Sequence, residues 1–184
     1  MKNTAVLIVF LLSVCVPVGL TQTAASQVRQ SKQSATALPS EEEIRELLDK
    51  ASEYVDTYRQ TFANTKASLD KAPTPGFYDE GMKLSSQAAQ AIDAIRKNGS
   101  SAYELVGLIA VLDDMSLNAA RASAAAMLVE IEGHSNNSDH DFLALAQAEK
   151  NCYDISELIL HATLRYISVE ESALKAVLNS DRRR

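Results

Sequence analysis

The chain has 184 residues, 18 basic and 24 acidic, giving a formal charge of −6, and 46% of its residues are hydrophobic. An acidic chain lacks the clustered positive charge that phosphate backbones and anionic headgroups require, which sets aside nucleic acid and acidic membrane surfaces as main partners. Its two cysteines are too few for a disulfide scaffold, so the fold must stand on its apolar core.

The N-terminus has the order of a secretory signal: positive, apolar, helix-breaking, small. Lys2 precedes the unbroken apolar run Ala5 to Leu12, Pro17 and Gly19 interrupt the next stretch, and Thr23-Ala24-Ala25 supplies the small residues. Residues 1–25 are therefore predicted to be a signal peptide cleaved after Ala25, sending the chain to a periplasmic or secreted location. The interrupted stretch falls short of the roughly 20 apolar residues of a membrane helix. Leu12-Ser13-Val14-Cys15 has the outline of a lipidation box, but Val14 stands where a small residue is needed and the apolar run continues past Cys15. Cys152 is then the one cysteine of the processed chain. It reads as a small buried apolar residue, with pairing between chains as the alternative.

Residues 26–38 are polar and without periodicity, and read as a disordered leader. The first helix begins after Pro39. Ser40 and Glu43 form a capping box, and Glu41, Glu42 and Glu43 suit the positive end of the helix dipole. Apolar residues then recur at Ile44, Leu47, Leu48, Ala51, Val55, Tyr58, Phe62 and Leu69, the three-four spacing of one buried helix face. Tyr54, Tyr58 and Phe62 make an aromatic stripe that anchors this helix, or offers a partner face if exposed. Pro73-Thr74-Pro75-Gly76 ends the pattern.

A second, shorter helix is predicted from Phe77 to Lys97, with Met82, Ala88, Ile92 and Ile95 on its stripe. Asn98-Gly99 stops it, and the Ser101/Glu104 capping box starts a third helix, Ala102 to Glu132, after a tight turn. Leu105 to Leu112 is apolar on every side, the pattern of a helix surrounded by others. Alanines between Ala119 and Ala126 allow close helix approach. After the loop Gly133 to Asn137, Ser138 and Asp141 open a fourth helix running to Asn179. Its stripe includes Phe142, Leu145, Cys152, Ile155, Leu158, Ile159, Ala162, Tyr166, Val169, Leu174 and Val177. Ser168 and Glu171 could cap a fresh segment, so a kink or break near Ile167 is expected. No segment alternates like a strand. The expected fold is all-α, an up-down-up-down four-helix bundle over residues 39–180, with a basic tail at 181–184 ending in three arginines.

Chemistry-bearing residues are few. Glu157 and His161, four apart, share a helix face and make the candidate metal pair, since carboxylate and imidazole together hold zinc or iron. Di-iron bundles repeat a Glu-x-x-His pair on two helices and add two more glutamates, which this chain does not. Asp113, Asp114 or Glu130 could add a ligand from the third helix. Asp113 and Asp114 come just after the most apolar run, with Arg121 two turns on, and either carboxylate turned inward would be desolvated. His134 and His140 flank a polar loop and could clip a surface metal with Asp139 or Asp141. Met82, Met115 and Met127 are expected on inward stripes, as core or as a pocket lining. Asn98-Gly99-Ser100 and Asn136-Asn137-Ser138 match the glycosylation pattern. No nucleophile elbow, glycine-rich phosphate loop or paired-cysteine motif is present. The sequence predicts an exported, non-catalytic bundle without a cofactor, which binds another exported protein or serves a structural role. The alternative is a metal- or small-molecule-binding bundle, and the oligomeric state is left open.

Overall fold

A computed structural model describes residues 37–133 and 140–181. The predicted signal segment with Cys15, the leader up to residue 36, the loop bearing His134, Asn136, Ser138 and Asp139, and the arginine tail lie outside the described residues. The side chains of Val177, Leu178, Ser180 and Asp181 do too. Four helices and no strand are found among the described residues: α1 (Glu41–Leu69), α2 (Phe77–Asn98), α3 (Ala102–Ile131) and α4 (Asp141–Asp181).

The helix boundaries arise from local chemistry. Ser40 is extended (φ −72°, ψ 155°), and its side chain accepts a hydrogen bond from the Glu43 amide at 3.1 Å. Ser101 does the same for Glu104 at the start of α3. Each cap satisfies one of the amides that a first helical turn leaves unpaired. Gly99 ends α2 at φ +90°, a conformation that L side chains rarely adopt, while its amide still bonds the Ile95 carbonyl at 2.9 Å. α4 runs unbroken through Ile167, contrary to the expected break there. A capping box works only where the backbone leaves the helix, and with no proline or glycine nearby Ser168 stays inside it, its carbonyl accepting from the Ser172 hydroxyl at 2.8 Å.

The helices form a bundle around one apolar core. α1 packs on α2 and α4, and α3 packs on α2 and most extensively on α4. α1 and α3 meet only along the diagonal. The core holds Val55, Tyr58 and Phe62 from α1, Ala88, Ile92 and Ile95 from α2, Leu105, Leu108, Leu112 and Met115 from α3, and Leu145, Cys152, Ile155 and Ile159 from α4. Alanines at 119, 122 and 126 line the inner face of α3, and Ala88 that of α2. Gly81 of α2 faces the ring of Phe62.

Polar groups inside the bundle are all partnered among the described residues. The Asn118 amide of α3 donates to the Tyr58 hydroxyl at 3.0 Å and to the Phe77 carbonyl at 3.2 Å, tying three helices together. Ser68 near the end of α1 donates to Asp141 at the start of α4. At the opposite end of α1, Glu43 pairs with Arg165 of α4 at 2.6 Å. Arg165 also donates to the carbonyls of Ala37 and Leu38, and so holds the chain where it enters α1.

Candidate functional site

Two surface features stand out from the rest of the bundle: an apolar outer face on α3 and α4, and a cleft at one end. The outer faces of α1 and α2 are polar; their charged residues pair locally, as Arg96 does with Asp49 at 2.7 Å and Lys66 with Asp70 at 2.6 Å. On α3 and α4, by contrast, large apolar side chains point outward. They include Tyr103, Val106, Leu117, Leu128 and Ile131 on α3 and Leu143, Tyr153, Leu160, Leu164 and Ile167 on α4. Apart from Leu38, every strongly exposed large apolar side chain among the described residues belongs to these two helices.

This corrects three expectations, of α3, of the methionines and of the α4 stripe, from which Leu158 also turns outward. α3 is not enclosed by other helices, because in a four-membered bundle its outer half meets solvent, and Val106 and Leu117 are about half exposed. Met127 points outward, while Met115 is fully buried and Met82 half-buried. The α4 stripe is likewise core only as far as Ala162. Beyond it Leu174 is 61% exposed, and every side chain from Glu170 to Ala176 faces solvent. A 41-residue helix is about 60 Å long against about 45 Å for the 30 residues of α3, so α4 outruns its neighbours.

Cross-helix hydrogen bonds fix how the exposed residues align. Ser156 of α4 donates to Asp113 of α3 at 2.6 Å, Ser123 to the Phe142 carbonyl at 2.8 Å, and Ser100 meets the Tyr166 hydroxyl at 2.9 Å. Leu117 and Ala120 thus flank Tyr153, with which they line a shallow groove. Asp113 and Asp114 are both exposed, and Asp113 serves as the acceptor for Ser156.

The end cleft, about 650 Å³, is lined by Ile44, Leu48, Ile95, Gly99, Ser100 and Tyr166 with Glu41, Arg45, Asp49 and Arg96 at its edge. Its arginines are already engaged, Arg45 by Glu42 and Arg96 by Asp49. Its size is that of pockets taking small molecules.

Glu157 and His161 sit on the outside of α4, 4.0 Å apart, with side chains 55% and 70% exposed. No third histidine, cysteine or carboxylate joins them among the described residues to complete a metal-holding group. His140 pairs with Glu130 at 3.2 Å. Cys152 is buried, and desolvation raises its thiol pKa to about 12, which suppresses the reactive thiolate. Burial likewise pushes the Tyr58 hydroxyl above its ordinary range, against the opposing effect of the Asn118 hydrogen bond. Sequence reasoning missed Arg165 and Asn118, whose partners lie far away along the chain. It also missed the apolar outer face, whose only signal was the weak amphipathicity of Leu105 to Leu112.

Family models, curated proteins and solved structures yield no match to the chain. No helix among the described residues is long and apolar enough to cross a membrane.

Proposed function

We propose that this chain is an exported, non-catalytic helical bundle that binds another protein through the outer face of α3 and α4. The observation that carries the reading is the segregation of exposed apolar side chains onto those two helices. Contiguous apolar surface kept in water mostly marks a contact site, and Tyr103 and Tyr153 supply the amphipathic anchors that interfaces favour. The apolar run and small residues of 1–25 support export and cleavage after Ala25. An up-down-up-down topology is supported by the end-to-start contacts Ser68–Asp141 and Glu43–Arg165, which are those of neighbours running in opposite directions.

Photo-crosslinking amino acids placed at Val106, Leu117 and Leu164, with controls at Gln60 and Asp93, test the reading in the native host. A discrete protein adduct from the first set alone supports it, and equal or absent adducts from both sets refute it. Sequencing the N-terminus of the processed chain tests the export step, with Ser26 as the expected first residue.

The end cleft supports a second reading, binding of a small amphipathic molecule over Ile44, Leu48 and Ile95. Native mass spectrometry of protein purified from its host separates the two: a retained molecule lost on Ser100→Trp favours the cleft.

A further inference from the structure

The outer face of α4 carries a seven-residue repeat. Exposed Tyr153, Leu160, Ile167 and Leu174 succeed one another at intervals of seven, and Leu164 falls between the middle two in the three-four rhythm of a coiled-coil seam. The stripe from Tyr153 to Leu174 covers three heptads, about 32 Å of helix. Leu117 and Ala120 of α3 flank it only at Tyr153; Leu160, Leu164, Ile167 and Leu174 are exposed, the last of them beyond the core.

The polar positions of the same seam say what faces it. Lys150, Glu157 and Glu171 occupy the alternate seam positions where apolar residues are missing. Each is exposed: Lys150 pairs with Asp154 and Glu171 with Lys175, opposite charges four residues on, while Glu157 lies 4.0 Å from His161. The seam therefore has a basic end at Lys150 and an acidic end at Glu171. A parallel, in-register pair of copies would set each of these charges against itself. An antiparallel pair centred between Leu160 and Leu164 does the opposite. It packs the leucines of one copy on those of the other, and it brings Lys150 of one within a helical turn of Glu171 of the other, at both ends.

We infer that the seam of α4 docks on a second copy of the chain, as an antiparallel two-helix contact about Leu160 and Leu164. This deepens the protein-binding reading and rests on it: the partner is the chain itself. Polar seam positions set orientation at some expense of strength, so the contact is specific in direction. The buried Cys152 leaves the seam free of native thiol.

Sedimentation equilibrium of the processed full chain, joined to cysteine crosslinking with a short bismaleimide, tests the proposal. The expected mass is that of a dimer. It drops twofold to the monomer in Leu164→Glu and in Ile167→Glu, whose exposed positions leave helix content unchanged and whose thermal midpoint matches the parent's once both are diluted to monomer. His161→Cys, near the two-fold axis, crosslinks to itself. Leu174→Cys does not, but crosslinks when mixed with Lys150→Cys. A monomer at every concentration overturns the proposal, as does a dimer in which Leu174→Cys crosslinks to itself or which Leu164→Glu leaves intact. If the monomeric chain crosslinks to a different exported protein from Val106 and Leu117, self-association fails while protein binding stands. If it crosslinks to nothing, both fall.

Discussion

Gly81 and Gly107 are both mid-helix glycines, yet replacing each with alanine is expected to move stability in opposite directions. At Gly81 of α2 an added methyl would lie 2.6 Å from Cδ1, 2.8 Å from Cε1 and 3.0 Å from Cγ of Phe62. Carbon atoms prefer about 3.5–4.0 Å, so the ring must retreat by roughly 1 Å. It has little room: Phe62 is fully buried and stacked on Tyr58 with ring centroids 4.5 Å apart, and Asn118 holds the Tyr58 hydroxyl. Overpacking of this kind costs about 1–3 kcal/mol. Alanine's better helix propensity returns about 1 kcal/mol, leaving a net loss of up to about 2 kcal/mol for Gly81→Ala. At Gly107 of α3 nothing lies within 4 Å of the new methyl, so only the propensity gain of about 1 kcal/mol remains.

Urea unfolding monitored by far-ultraviolet circular dichroism reads both variants against the parent. The gap between them, about 1–3 kcal/mol, isolates the clash because the propensity gain cancels. Phe62→Leu in the Gly81→Ala background should recover part of that gap, since the shorter side chain withdraws from the contact. If Gly81→Ala stabilises as much as Gly107→Ala, then Phe62 is not packed on α2 as described, and the core argument for that corner is wrong.

Asn118→Ala strands the buried Tyr58 hydroxyl and removes the second bond to the Phe77 carbonyl, and is expected to lower stability by about 1–3 kcal/mol; adding Tyr58→Phe should restore part of it, which a double-mutant cycle in urea measures. The Cys152 thiol holds its proton more tightly folded, to about 12, than at its ordinary value of 9.0. Its contribution is therefore whole below pH 9 and is lost as pH rises from 9 towards 12; the urea midpoint should fall over that window less steeply in Cys152→Ala than in the parent. In the folded chain the same thiol should resist iodoacetamide at neutral pH and react once urea unfolds it. Ser40→Ala removes the cap of α1 and should cost about 1 kcal/mol by the same assay.

How far the fold was legible in the sequence depended on how local each determinant is. Ser40, Ser101, the Pro73–Gly76 breaker and Gly99 act within a turn, and each helix begins or ends where they place it. The buried faces of α1 and α2 keep to the three-four spacing because polar residues fill the rest of those helices, leaving one choice of inward side. Ser168 misled because a capping box describes a helix start only where the backbone has left the helix. Arg165 and Asn118 were not readable, since the partners of Arg165 lie more than a hundred residues away and those of Asn118 on two other helices. Of the candidate site, the spacing of Glu157 and His161 gave their common face but not its direction, and only packing shows that it points outward.

The apolar outer surface of α3 has a bearing on what the fold requires. Four helices in a ring leave each member with roughly half its circumference in water, so an inward stripe is enough to close the core. α1 and α2 show this sufficiency: they bury one face and cover the other with charge. α3 closes its part of the core with Leu105, Leu108, Leu112 and Met115 inside, and still carries Tyr103, Val106 and Leu117 on its outer side, outside the buried core. α4 repeats the excess and continues it past the last turn that any neighbour covers. Exposed apolar side chains are a standing liability for aggregation. Their confinement to two adjacent helices, with the ion pairs Lys150–Asp154 and Glu171–Lys175 among them on α4, is the observation on which the proposed protein contact rests.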